Sequence, residues 1–159
     1  MITQAQTFLK QHKIPHTLHE YVCDATDDFG HHAAHNLGMS EDKVFKTIIL
    51  HHDKTYVTCV VPVNIRISMK KAARLVKLKD LETTDPQTAT RITGFVVGGI
   101  SPFGQKRKTI TILHESALLQ AEILVSGGRR GLSIGISPQI LVSCLDAIVG
   151  DVEDPQAKA

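Results

Sequence analysis

Two stretches rich in branched residues, 44–50 and 56–61, are separated only by His51-His52-Asp53-Lys54-Thr55. Branched side chains suit a pleated, half-buried surface, and a short polar insert between two such runs predicts a hairpin. Every arrangement open to the chain must accommodate that pair of strands. Helical signals surround it. Ile2, Ala5, Phe8 and Leu9 follow Thr3, a candidate cap, and the run stops before Ile14-Pro15, where the residue before proline is pushed out of the helical region. Alanines at helical spacing in 31–37 end at Gly38, Ser68 stands before the alanines of 69–76, and Asp85-Pro86 opens a helix that Gly94 closes.

Further strands are expected at 16–22, with Leu18 and Val22 alternating against polar neighbours, and at 95–97, 109–113, 122–126 and 132–136. Short helices are expected at 115–119 and after Ser137-Pro138. Strands in adjacent pairs with helices between them predict an α+β fold, a single domain over 1–150 with one mixed, mostly antiparallel sheet under covering helices. The polar segment 151–159 is expected to fray.

At 159 residues, with 42% hydrophobic and 21% charged side chains, the chain is long enough for one ordinary core and too apolar to stay disordered. No apolar run approaches the roughly 18 residues of a membrane span, and no signal or lipidation motif opens the sequence. Cys23, Cys59 and Cys144 are odd in number and widely spaced. They predict a reducing, cytoplasmic setting without disulfides.

Charge is unevenly distributed behind a net value of +2. Seven acids against two lysines occupy 20–53, whereas Arg66, Lys70, Lys71, Arg74, Lys77 and Lys79 follow without an acid between them. Lys106-Arg107-Lys108 and Arg129-Arg130 add two more basic clusters. Such clusters suit an anionic polymer, though solvated helix faces and basic turns explain them equally well.

Lys46, set between Phe45 and Thr47 in an apolar strand, is the first candidate for chemistry, because burying a charge costs several kcal/mol unless it is paired or used. Glycines are the second: eight of the eleven lie between Gly94 and Gly135. The loop 98–104 nearly matches a phosphate-binding P-loop, but Gln105 stands where lysine is required and Pro102 removes an amide donor, which excludes an NTPase. His31, His32 and His35, with Cys23, Asp24, Asp27 and Asp28 near in sequence, lack a zinc-type motif and read as solvated helix histidines. Cys59 and Cys144 read as core residues, and no serine sits in a nucleophile elbow, so no protein nucleophile is evident.

Taken in order, Tyr21, Phe29-Gly30, Lys46-Thr47, the run from Thr93-Gly94 through Gly98-Gly99-Ile100-Ser101-Pro102-Phe103-Gly104-Gln105-Lys106, and Val125-Ser126-Gly127-Gly128-Arg129-Arg130-Gly131-Leu132 resemble the YbaK/EbsC group of free-standing aminoacyl-tRNA deacylases, relatives of the editing insertion of bacterial prolyl-tRNA synthetases. The resemblance covers nearly the whole chain. It implies a pocket for the 3′-terminal adenosine with its esterified amino acid, Lys46 and Tyr21 as the catalytic pair, and Phe29, Thr47, Gly98, Gly99, Ser101, Gly104, Ser126, Gly127, Gly128 and Ser133 as substrate-binding residues. Lys70, Lys71, Arg74, Lys106, Arg107, Lys108, Arg129 and Arg130 would then hold the tRNA acceptor end. Trans-editing of mischarged cysteinyl-tRNA(Pro) is implied, with the substrate's own thiol attacking its ester, no metal or organic cofactor, no DNA or membrane partner, and a complex with prolyl-tRNA synthetase as a source of tRNA selection. The chain departs from the group at His31-His32, where several relatives carry an acidic pair, and at Ser133 and Gly135, where some carry Asp and most carry Glu. Two other readings stand beside it: a deacylase for alanyl or other small aminoacyl-tRNAs that uses a bound water, and a non-catalytic module that binds a nucleotide or an RNA end.

Overall fold

The computed structural model describes residues 2–23 and 29–155. Helix α1 (Gln4–Gln11) begins in a capping box: Thr3 Oγ1 accepts from the Gln6 amide at 3.2 Å, and Gln6 Oε1 accepts from the Thr3 amide at 2.9 Å. Strand β1 (Thr17–Glu20) and helix α2 (Phe29–Leu37) follow, and Gly38 at φ +64° ends α2. The expected hairpin is present as β2 (Phe45–His52) and β3 (Thr55–Pro62). Its strands run further than the branched residues, so His51 and His52 pair with Tyr56 and Thr55 and the turn shrinks to Asp53-Lys54.

Helix α3 (Met69–Leu75) is capped by Ser68, whose hydroxyl accepts from the Lys71 amide at 3.2 Å. After the two-residue strand β4 (Glu82–Thr83), helix α4 (Pro86–Thr93) runs from the Asp85 cap to Gly94, which is left-handed at φ +84°. Then come β5 (Ile110–His114), a 3-10 turn at Glu115–Leu119, β6 (Ile123–Ser126), β7 (Leu132–Ile136), α5 (Pro138–Leu145) and β8 (Ile148–Gly150).

The fold is α+β, and the strands form two sheets rather than one. Order β1-β7-β6 makes a three-stranded antiparallel sheet, and β4-β2-β3-β5-β8 a five-stranded one. Within the larger sheet β3-β5 and β5-β8 are parallel, and β2-β3 and β2-β4 are antiparallel. A parallel bridge between Val44 and Leu124 joins the two sheets, with the Leu124 amide donating to the Lys43 carbonyl at 2.8 Å. One face of the larger sheet packs Phe45, Ile49, Val60 and Leu113 against α1, α4, α5 and the smaller sheet, around the fully buried Phe103. The opposite face packs Leu50, Val57, Cys59 and Val61 against Ala72 and Ala73 of α3.

Three further expectations are corrected. Residues 95–97 form no strand, because left-handed Gly94 and a turn closed by the Gly99 amide on the Val96 carbonyl (2.9 Å) bend the chain at both ends, leaving Val96 and Val97 exposed. The strand expected over 16–22 covers only Thr17–Glu20, and both Leu18 within it and Val22 beyond it are exposed. The segment after residue 150 does not fray over 151–155. Val152 is fully buried, the Ser68 amide donates to its carbonyl at 2.7 Å, and the Asp154 amide donates to the Arg66 carbonyl at 2.9 Å.

Candidate active site

The inner edge of β2 is paired along its full length with β3, while its outer edge is held only at its ends. The Val44 carbonyl accepts from the Val63 amide, so alternation turns the backbone groups of Phe45, Thr47 and Ile49 outward. At one end Leu124 takes that edge, and at the other the Thr84 amide reaches the Ile49 carbonyl at 3.1 Å. Between these two points no described strand lies against it. A cavity of about 460 Å³ occupies the gap.

Because side chains alternate along β2, Lys46 stands on the α3 face beside Val61, and Thr47 on the other face beside Val60. Both line the cavity, which therefore wraps around a strand edge. Tyr21, Phe29, Gly98, Ser126 and Ser133 line it too. Seven of the residues named from the sequence are thus brought together from the segment just after β1, α2, β2, the glycine loop and the β6-β7 hairpin.

Gly99, Ser101, Gly104, Gly127 and Gly128 do not line the cavity; they pack against other parts of the fold. A side chain at Gly99 would meet the Arg129 backbone at 2.8 Å, one at Gly104 the Gln4 carbonyl at 2.5 Å, and one at Gly127 the Leu132 side chain at 2.6 Å. Gly128 is backed by Thr3 and Phe95 at φ +101°. Ser101 is fully buried, and its hydroxyl accepts from the Phe103 amide at 3.2 Å. Close backbone approach explains these glycines without a ligand.

Residues absent from the sequence-based assignment also form the cavity: Arg66, Thr83, Thr84, Val97 and His31. His31 is half-buried and pairs through Nδ1 with Glu41, so it is part of the wall and not a solvated helix histidine. Asp24, Asp27 and Asp28 lie outside the described residues. The Thr47 and Thr84 hydroxyls are buried without a hydrogen-bond partner. An unpaired buried hydroxyl costs roughly 1–3 kcal/mol, which is the mark of a surface shaped for something other than its own packing.

Burial pushes the Tyr21 phenol above its ordinary value of 10.0, against smaller lowering effects from the Gly131 backbone and Ser133. It is a neutral hydroxyl at physiological pH. No cysteine lines the cavity. Burial drives Cys59 up to about 12 and Cys144 up to about 11, so neither supplies a thiolate.

The basic residues do not form one face. Lys70 and Arg74 project from α3, where Lys71 is already paired with Asp151 at 2.8 Å. Arg107 lies 5.5 Å over the Tyr56 ring, which packs on the opposite side of the larger sheet from α3. Lys106 and Lys108 are exposed on either side of Arg107. Arg129 reaches Glu20 at 3.7 Å. Arg130 is exposed but lies along the cavity wall, donating from Nε and Nη2 to the Val97 carbonyl at 3.0 and 2.8 Å.

The sequence profile of the aminoacyl-tRNA editing domain matches residues 26–144. The EbsC protein of Enterococcus faecalis (strain ATCC 700802 / V583), named for Cys-tRNA(Pro)/Cys-tRNA(Cys) deacylation, is 33% identical over 150 residues, spanning 89% of this chain and 87% of that one. Among solved structures, one named for trans-editing for prolyl-tRNA synthetase superposes with a TM-score of 0.83 at 23% identity, covering 95% of each chain. A scaffold used for epitope backbone grafting gives 0.85 at 24% identity, again over 95% of each.

Proposed function

Since the chain belongs to the aminoacyl-tRNA editing domain family, in its YbaK/EbsC branch, we propose that it is a trans-editing deacylase that removes cysteine from mischarged cysteinyl-tRNA(Pro). The observation that carries this reading is the cavity on the outer edge of β2, which gathers Lys46, Tyr21, Thr47 and Ser126 yet, among the described residues, contains no activated nucleophile of the protein. A reaction whose nucleophile arrives with the substrate needs such a site.

In this mechanism the aminoacylated 3′ adenosine enters along the strand edge. The substrate thiol gives up its proton and its sulfur attacks the ester carbonyl carbon. The new carbon–sulfur bond replaces the bond to the ribose oxygen, which leaves as a protonated hydroxyl, and water then opens the small thiolactone to free cysteine. Intramolecular attack gains from proximity, and effective molarities for well-oriented groups reach roughly 10⁵ M or more. The protein's task is to orient the thiol and polarise the carbonyl, for which the Lys46 ammonium and outward amides of β2 are placed. Arg66 at the cavity, with Lys70 and Arg74 beyond it on α3, gives the acceptor end phosphate contacts that position without reading sequence. Identity of the tRNA would then be set in a complex with prolyl-tRNA synthetase in the cytoplasm.

Single-turnover release of labelled amino acid from tRNA charged with cysteine, serine or alanine tests the reading. Rapid loss of cysteine alone, strongly slowed by Lys46→Ala, is expected. Equal cleavage of alanyl-tRNA would replace the thiol with a bound water, and no cleavage of any substrate would reduce the protein to a binding module.

A further inference from the structure

Phe29 stands at the start of α2 as the aromatic wall of the cavity, and its ring is enclosed on two sides. Gly98, left-handed at φ +89°, lies beneath it so closely that a β-carbon there would come within 2.6 Å of the ring. The Arg130 guanidinium lies over the ring, 4.4 Å from its centroid. The same guanidinium donates twice to the Val97 carbonyl, one residue before Gly98. Arg130 therefore ties three separate segments together: the β6-β7 turn that carries it, the loop at Val97-Gly98, and the ring of Phe29. Its backbone is fixed in turn, for the Gly99 Cα faces the Arg129 backbone with no room for a side chain between them.

We propose that Arg130 is a positioning residue and not a phosphate contact: it clamps Phe29 against Gly98 and so sets the width of the cavity where the substrate's terminal nucleoside or acyl group rests. The clamp uses the planar, forked character of the guanidinium, which stacks on an aromatic face while two of its N–H groups share one acceptor. A lysine ammonium carries the same charge but can neither stack as a plane nor form the fork. Charge and shape are thus separable. The functional side of the inference rests on reading the cavity as the aminoacyl-adenosine seat, whereas the clamp itself does not.

The test compares Arg130→Lys and Arg130→Ala in two measurements. In the first, 4-fluorophenylalanine replaces the five phenylalanines, the Phe29 signal is assigned by its absence in Phe29→Leu, and fluorine spectra are recorded without substrate. Both variants are expected to shift and sharpen the Phe29 signal alike and to leave the other four in place; an unmoved signal in Arg130→Lys overturns the clamp. In the second, deacylation of cysteinyl-tRNA(Pro) is followed against salt. Both variants are expected to lose about tenfold in kcat/KM, as misplacement of a site wall does, with the wild-type salt slope retained. Recovery by lysine together with a reduced slope in Arg130→Ala overturns positioning and restores the phosphate role. If the Phe29 signal responds while the wild-type protein cleaves no aminoacyl-tRNA, the clamp stands and the deacylase reading falls.

Discussion

The two edges of β2 are built from the same eight residues and meet opposite fates. Its inner edge is paired with β3 from Phe45 to His52, and the flanking faces close over Val60, Val61, Phe103 and Leu113 with almost no exposure. Its outer edge is left bare between Leu124 and Thr84, and there the structure keeps a lysine, two unpartnered hydroxyls and a half-buried histidine. Stability resides where packing is complete, and the polar side chains capable of chemistry collect where it is withheld.

That contrast is most directly broken from the core side. Phe103→Ala removes a fully buried ring that stacks on Phe8 with centroids 6.1 Å apart, and a loss of about 3–5 kcal/mol in denaturant-measured stability is expected. A loss below about 1 kcal/mol would mean that the core tolerates voids as readily as the cavity does. From the cavity side, Lys46→Ala is expected to lower single-turnover deacylation about a hundredfold, the scale seen when a charge-stabilising donor is removed, while stability moves by about 1 kcal/mol or less. Equal losses in both assays would erase the division.

Gly98→Ala probes the boundary, since it adds backbone strain at φ +89° and pushes on Phe29. About 1–3 kcal/mol should be lost, along with activity, in thermal unfolding and turnover run side by side. A smaller effect is expected from His114, which is buried and accepts the Val152 amide through Nδ1 at 3.2 Å. Burial holds its pKa below the ordinary imidazole value, more strongly than Asp151, Glu153 and Glu115 raise it. The unfolded chain therefore binds the proton first, so this stabilisation is complete above about pH 6.5 and drains away as pH falls through the lower folded value. His114→Gln keeps an acceptor without titrating, and a flatter stability profile over that window is the expected result. Smallest of all is the loss expected for Thr84→Val: its hydroxyl has no bond to lose, so stability should hold or rise by about 1 kcal/mol.

Much of the fold was legible because its signals are local. Thr3, Ser68, Asp85-Pro86, Gly38 and Gly94 each mark a helix end by their own backbone chemistry, and each marks one in the structure. The missed strands β4 and β8 span two and three residues, too short for any periodicity, and exist only because a distant strand edge accepts them. Residues 95–97 misled by apolar composition alone, since two glycines decide their path. The site followed the same division. Lys46 declared itself as a charge in an apolar strand, and Tyr21, Phe29 and Gly98 were named by resemblance. Arg66 was marked only as part of a basic run, His31 only as part of a histidine cluster and Thr84 not at all; they join the cavity through tertiary placement. Arg130 was identified as basic but not as fastened along the cavity wall, because a carbonyl thirty-three positions away takes its hydrogen bonds.

The fastening of residues 148–154 bears on the order in which the molecule can be assembled. β8 covers the free side of β5, and the stretch behind it anchors the entry to α3 through Ser68 and Arg66. A nascent chain that has emerged only as far as α5 lacks those contacts and so carries β5 as an uncovered strand edge, open to pairing with a neighbouring ribosome's product until residues 148–154 arrive.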